Sequence, residues 1–273
     1  MGFGVQFWGV RGSIACPSPQ HVVYGGNTSC IEVFAGDKRI ILDAGTGIRM
    51  LGKTYMRQDI RSAHLLLTHS HWDHINGFPF FVPGFVPGRR FEIMAGHLPA
   101  GGLREVLAGQ MAQPNFPVPL DYMNAELEFS DFVAGDKFTL MPGIDIITAP
   151  LNHPNGATGY RIEHNGKALC YVTDTEHIPG KPDETVLGLI EGADYVIYDS
   201  TYTDDEFPDH VGWGHSTWQE AVRLCESANV RKLAIFHHDP DHEDEFMRRV
   251  EADARNMWDG ATVAREGMRV QLA

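Results

Sequence analysis

Apolar positions along this chain fall into short runs cut by turn residues. Residues 5–10 are apolar and β-prone before Arg11-Gly12-Ser13 breaks the run. The apolar stretches 29–35 and 39–42 flank Gly36-Asp37-Lys38, a hairpin signal. The second of them ends in Asp43-Ala44-Gly45-Thr46-Gly47, and residues 48–56 then read as a short helix. Leu65-Leu66-Leu67 is a further strand-length run, 91–94 another, and 103–110 a helix. Short alternating strands follow at 126–129, 137–140, 145–148, 158–163 and 168–172, punctuated by Gly135-Asp136, Pro142-Gly143 and Asn165-Gly166. That rhythm predicts an antiparallel meander forming the second half of the fold. A helix running from Ser216 towards Asn229 and a last apolar strand at 232–236 complete the pattern, and His242 is expected at the surface where the next helix begins. No linker rich in proline, serine or charge divides the chain, so residues 1–273 are expected to form one domain.

Two stretches fit neither period. Residues 78–88 hold three prolines and four phenylalanines, which excludes a regular helix or a central strand. Such a loop is either a lid over a site or a buried connection or subunit contact. Residues 113–119 are similarly irregular and could join the same rim.

The formal net charge of −14 changes the picture of partners. An acidic surface repels nucleic-acid backbone and anionic membrane, so extended RNA or DNA is a poor substrate without a local basic patch, and none is evident. Cys16, Cys30, Cys170 and Cys225 are scattered without a CxxC pair and read as reduced thiols of a cytoplasmic protein. The chain opens without a basic leader, and no apolar run approaches the length of a membrane span.

Candidate chemistry concentrates where the run 65–67 ends. In Thr68-His69-Ser70-His71-Trp72-Asp73-His74 the six residues from His69 to His74 hold three histidines and an aspartate directly behind a buried strand. So many imidazoles and carboxylates would repel on protonation or resist desolvation unless a cation held them. His69 and His71, two apart in extended chain, leave on the same side and can share one ion. If the chain turns into a helix after Trp72, Asp73 and His74 face a second position beside the first. The spacing therefore predicts two neighbouring divalent metals, with Zn²⁺ the first guess from nitrogen-rich ligation and Mn²⁺ or iron compatible with the ligand types.

This HxHxDH motif resembles the signature of the metallo-β-lactamase-fold hydrolases. The resemblance extends over nearly the whole chain and implies an α/β fold, the four-layered αβ/βα sandwich. It implies that Asp43, at the first family motif, supports the metal site from behind; a helix N-cap is the alternative reading. It further implies His153 as the third ligand of the first ion, Asp174 as a carboxylate bridging both ions, and His237 as the last ligand of the second, with His238 a neighbouring candidate.

Three other segments bear on the reaction, and the first, Tyr198-Asp199-Ser200-Thr201-Tyr202, follows a strand. Gly214-His215-Ser216-Thr217 resembles the segment of tRNase Z and related phosphodiesterases in which the histidine protonates the leaving oxygen. The resemblance makes His215 a general acid, Asp73 the residue that orients the attacking hydroxide, and Ser216 and Thr217 substrate contacts; the alternative for His215 is a helix-start residue beside a capping Ser216. The opening segment 7–13, with 24–30, resembles bacterial members of the same group and makes Arg11 either a phosphate contact or a surface ion-pair partner. Transfer-RNA processing enzymes carry a long insert between the positions of His153 and Asp174, where this chain has about twenty residues. The expectation is thus a binuclear phosphodiesterase acting on a small-molecule phosphodiester such as a cyclic nucleotide. Lactone or thioester hydrolysis and, further off, tRNA 3′ processing are the alternatives, and family habit adds a homodimer.

Overall fold

The computed structural model describes residues 2–99 and 102–272. The chain builds β1 (Phe3–Gly9), β2 (Cys30–Ala35), β3 (Lys38–Leu42), α1 (Ile48–Gln58), β4 (Ser62–Leu67), α2 (Trp72–Ile75), β5 (Arg90–Ala95), α3 (Gly102–Gln110) and β6 (Glu126–Asp131). It continues with β7 (Lys137–Met141), β8 (Ile144–Leu151), β9 (Ala157–His164), β10 (Lys167–Val172), α4 (Glu184–Ile190), β11 (Tyr195–Asp199), α5 (Trp218–Ser227), β12 (Leu233–Phe236), α6 (Asp244–Met257), β13 (Ala261–Val263) and β14 (Arg269–Leu272). One seven-stranded sheet runs β14-β1-β2-β3-β4-β5-β6 and the other β13-β12-β11-β10-β9-β8-β7. In each sheet an antiparallel half passes into a parallel half, at β3/β4 in the first and β10/β11 in the second.

The layers follow from period-2 alternation in strands buried on both faces. Ile40, Leu42 and Leu66 point between the sheets and meet Ile146, Tyr160, Leu169, Tyr171, Ile197 and Phe236 of the other sheet. Their neighbours Ile41, Leu65 and Leu67 point outward onto Ile48, Leu51 and Tyr55 of α1 and Leu103 and Leu107 of α3. Cys170, Val172, Val196, Tyr198, Leu233 and Ile235 point out of the second sheet onto α4, α5 and α6. The result is helices, sheet, sheet, helices: the four-layered αβ/βα sandwich. Burying one side chain such as Leu66 contributes about 1.5–3 kcal/mol.

Helix ends agree with local chemistry. The α1 stripe Ile48, Leu51, Tyr55 follows helical spacing, and the helix stops where Asp59 adopts a left-handed φ of 52° and donates its N–H to the Tyr55 carbonyl. Asp183 caps α4, and Thr217 caps α5 through the Glu220 N–H.

Two expectations change, those for residues 126–129 and His242, and one open alternative is decided. Residues 126–129 do not belong to the second half: β6 pairs parallel to β5, from Arg90↔Glu126 to Ala95↔Asp131, because the crossover through α3 returns the chain to the same sheet. The meander is β7 to β10 alone. The loop 78–88 is mainly a buried connection: Phe78, Phe81 and Pro83 pack beneath α1, leaving Phe80 and Val82 exposed. Phe80 does meet Phe116 of the second irregular stretch, edge-on at 5.7 Å. His242 is buried rather than on the surface, stacked on Phe246 with Nε2 2.9 Å from Glu206 Oε1.

Candidate active site

Chain from the C-terminal ends of six strands converges at one edge of the sandwich. Asp43 follows β3, His69 to His74 follow β4, His153 follows β8, Asp174 follows β10, Asp199 ends β11, and His237 follows β12. Residues beyond parallel strand ends are where open α/β sheets present their ligand sites. At three of these ends the backbone is left-handed in a residue that has a Cβ: Asp43 at φ 60°, Asp174 at 59° and His237 at 64°. Such conformations cost of order 1–3 kcal/mol each and persist where surrounding contacts over-determine them.

Two groups of donor atoms result. His69, His71 and His153 can bring one ring nitrogen each within 4.8 Å of one another, and so can Asp73, His74, Asp174 and His237 with one atom each. His71 Nδ1 lies 3.0 Å from His153 Nε2. Asp174 joins the groups, its Oδ1 being 3.7 Å from His69 Nε2 and from His153 Nε2, and its Oδ2 3.1 Å from His74 Nε2 and 3.4 Å from His237 Nε2. A third set, Asp174, Asp199, His215 and His237, overlaps the second.

Four of these rings, those of His69, His74, His153 and His237, are aimed by a partner behind them. His74 Nδ1 lies 2.8 Å from Asp43 Oδ2, and the same carboxylate accepts from the Thr68 N–H and hydroxyl and from the Tyr171 hydroxyl at 2.8 Å. Asp43 therefore sits behind the donor cluster and caps no helix: α1 begins after Gly47 without a side-chain cap. His153 Nδ1 donates to the Gly214 carbonyl at 2.8 Å, and a Cβ on Gly214, whose φ is +87°, would collide with that ring. Thr201 Oγ1 lies 3.0 Å from His237 Nδ1, Thr68 Oγ1 3.1 Å from His69 Nδ1, and the Ser13 N–H donates to Asp73 Oδ2 at 2.8 Å.

Protonation suits a cation site. Burial, reinforced by His74, pushes His69 well below the ordinary histidine range, and burial also lowers His71 and His153, leaving neutral rings with lone pairs. Burial opposes the charge of Asp73 and Asp174, but the surrounding histidines outweigh it and hold both carboxyls well below their usual range. Burial would lower His74 too; Asp174, Asp73 and Asp43 outweigh that and raise it well above 6.5. A proton there answers three carboxylates, the charge a divalent cation would answer better. The buried Nε2 atoms of His69 and His74 make no hydrogen bond, so the donor set fits divalent metal ions.

His215 stands beside these groups, its Nδ1 3.0 Å from Asp199 Oδ2 and its ring stacked on His237 at 4.9 Å. Burial lowers its pKa, but the charge of Asp199 and the bond to it dominate and raise it to about 9. Asp199 also accepts from the Asp174 N–H at 2.9 Å and the Thr201 hydroxyl at 2.9 Å, tying three site residues to one carboxylate. Its sequence signal was a strand-end aspartate like Asp43 and Asp174, lacking a motif around it.

Other expected residues are placed differently. Arg11 is fully buried and donates to the carbonyls of Gly25, Asp239 and His242 at 2.8–2.9 Å, so it ties the opening loop to the segment after β12 and faces neither substrate nor surface. Ser216 is buried with Oγ 2.8 Å from His177 Nδ1, and Thr217, not Ser216, caps α5 while donating to Asp204; both are committed to the scaffold. His238 is buried away from the cluster with Nε2 donating to the Ala264 carbonyl, whereas His237 enters it.

The sandwich and its two donor clusters define a metal-dependent hydrolase of the metallo-β-lactamase fold. The chain belongs to the beta-lactamase superfamily, whose domain model matches residues 38–238. It is 24% identical to the Ribonuclease Z of Haloarcula marismortui across 97% of this chain and 95% of that one, and 31% identical to the Ribonuclease Z of Sulfurisphaera tokodaii across 78% and 82%. Among solved structures it resembles a diphosphatase from the PhnP family with a TM-score of 0.73, at 19% identity over 99% of this chain and 98% of the other. Among the described residues no helix is long and apolar enough to cross a membrane.

Proposed function

We propose that this hydrolase is a phosphodiesterase acting on small phosphodiesters such as cyclic nucleotides, with two divalent cations, Zn²⁺ first among them. His69, His71 and His153 would hold one ion, Asp73, His74 and His237 the other, and Asp174 both. A cation pair of this kind lowers the pKa of water towards about 7 and acts as a Lewis acid towards a phosphoryl oxygen. The ligands come from both sheets, so residues 1–273 work as one domain in this reading. The free cysteines fit a cytoplasmic setting.

The observation that carries the phosphate preference is the His215–Asp199 pair beside the donor groups. With Nδ1–H given to Asp199, Nε2 is the nitrogen left to protonate a departing alkoxide, a poor leaving group without that proton. Asp73, fixed by the Ser13 N–H, orients the attacking water. A carbonyl ester such as a lactone needs His215 less, because its tetrahedral oxyanion is met by charge.

One observation favours a second reading, transfer-RNA processing: the relatives are called Ribonuclease Z. Against it, only the hairpin of β9 and β10 lies between His153 and Asp174, and the net charge is −14. The deciding experiment is metal analysis followed by a panel of bis-p-nitrophenyl phosphate, cyclic nucleotides, precursor tRNA, lactones and nitrocefin, run on the wild type and His215→Ala. Cleavage of the cyclic nucleotides, whose leaving group is an alkoxide, is expected to fall by about 10²–10⁴ in the variant at unchanged metal content, and cleavage of bis-p-nitrophenyl phosphate, whose nitrophenolate leaves without a proton, to fall much less. Undiminished cleavage of the cyclic nucleotides would remove the reason for preferring phosphate esters.

A further inference from the structure

Four aromatic side chains among the described residues are largely exposed, Trp72, Phe80, Tyr122 and Trp213, and the two indoles adjoin residues of the candidate metal site. Trp72 is 81% exposed and Trp213 is 62% exposed. Trp72 directly follows His71. Trp213 directly precedes Gly214, whose carbonyl accepts from His153. His71 and His153 are themselves 3.0 Å apart, so both indoles hang from backbone tied to one pair of rings.

Trp213 is exposed but not loose. The N–H groups of Gly212 and Gly214, on either side of it, both donate to Glu176 Oε2 at 2.8 Å. Its ring meets His210 edge-on at 5.1 Å, and His210 stacks on Tyr202 at 4.2 Å. The backbone of Trp72 is fixed at the first position of α2, whose next two residues are buried in the cluster. Exposed aromatic surface on an anchored backbone at the mouth of a site is a recognition surface.

We propose that Trp72 and Trp213 form a stacking surface for a flat aromatic ring on the substrate, so that nucleoside and aryl phosphodiesters are preferred to aliphatic ones. This rests on the phosphodiesterase reading above and narrows its substrate class. The charge balance supports it: with 36 acidic against 22 basic residues, the surface is poor in cations for holding an anionic ester. Stacking supplies affinity without charge, because every base or aryl ring has a π-face.

The test compares adenosine 2′,3′-cyclic phosphate with glycerol 1,2-cyclic phosphate, which share the five-membered cyclic diester; the glycerol ester lacks the base and the sugar ring, so the readout is how the indole variants change the ratio. The metal-loaded wild type and Trp72→Ala, Trp72→Phe, Trp213→Ala and Trp213→Phe are assayed on both. The ratio of kcat/KM for the adenosine ester to that for the glycerol ester is expected to fall about tenfold in each alanine variant, through KM, and to recover in the phenylalanine variants. In parallel, AMP should quench the intrinsic fluorescence of the metal-loaded protein, less so in each Trp→Phe variant, while ribose 5-phosphate should not. A ratio unchanged in the alanine variants, or absence of AMP quenching, overturns the proposal. So does loss of a dimer in Trp72→Ala by sedimentation at an unchanged ratio, which would make the indoles a contact between copies. Full AMP quenching in a wild type that cleaves no phosphodiester supports the stacking surface and overturns the phosphodiesterase reading alone.

Discussion

The partners behind the candidate ligands decide what each ring can do. His74 is aimed by Asp43, His237 by Thr201, His153 by the Gly214 carbonyl and His215 by Asp199. Replacing Asp43 with Asn keeps the shape but removes the charge that orients His74, and partners of this kind typically alter metal affinity by about 10–100-fold. Competition with a chromophoric chelator should show that loss for Asp43→Asn; equal affinity in variant and wild type would make Asp43 purely structural. Asp199 acts through His215, so Asp199→Asn and His215→Ala should be non-additive, the double variant cleaving a cyclic nucleotide, with its alkoxide leaving group, no more slowly than His215→Ala. Additive losses would give Asp199 a separate role. The histidines were legible in the sequence because HxHxDH behind an apolar run is a rare arrangement. Asp199 was not, since a strand-end aspartate is common in turns and only folding shows what it faces.

Elements were legible where burial dictates the pattern. Strands β3, β4, β10 and β12 are covered on both faces, which forces continuous apolar runs such as Leu65-Leu66-Leu67, and a histidine or aspartate after such a run had to emerge at a strand end. The strand β6 misled because its spacing matches that of the meander after it; only the crossover through α3 assigns it to the first sheet. Arg11 misled for a related reason: an arginine in a glycine-rich loop looks free, and its burial depends on residues more than two hundred positions away. If Arg11 is a strap between the opening loop and the segment after β12, Arg11→Met leaves buried carbonyls unpaired at about 1–3 kcal/mol each. The urea midpoint should fall with the slope unchanged while KM for small phosphodiesters stays close to wild type. A raised KM at full stability would restore the phosphate-contact role.

At the scale of the molecule, the donor clusters span the two halves of the sandwich. His69, His71, Asp73 and His74 follow a strand of the first sheet, and His153, Asp174 and His237 follow strands of the second. The sheets otherwise meet through the apolar layer from Phe7 and Leu66 to Tyr171 and Phe236, which is fully formed without help from the site. At the site edge the situation differs: Asp43, Asp73, Asp174 and Asp199 are all buried, and within the protein their charge is answered by histidine protons and by neutral donors such as the Ser13, Thr68 and Asp174 N–H groups. Divalent ions that bind the folded chain and not the unfolded one should stabilise it by about 2.7 kcal/mol at a hundredfold excess over Kd. For a chain of this size, each kcal/mol moves Tm by roughly 2–4 °C. Stripping the protein with a chelator should therefore lower Tm by about 5–10 °C, and adding back Zn²⁺ should restore it. The same titration on Asp174→Asn, which weakens the residue joining the two groups, should show a smaller rise at equal Zn²⁺. A Tm indifferent to chelator and to Zn²⁺ would mean that the two sheets hold this edge together unaided and that the histidines and aspartates gathered there bind no ion tightly.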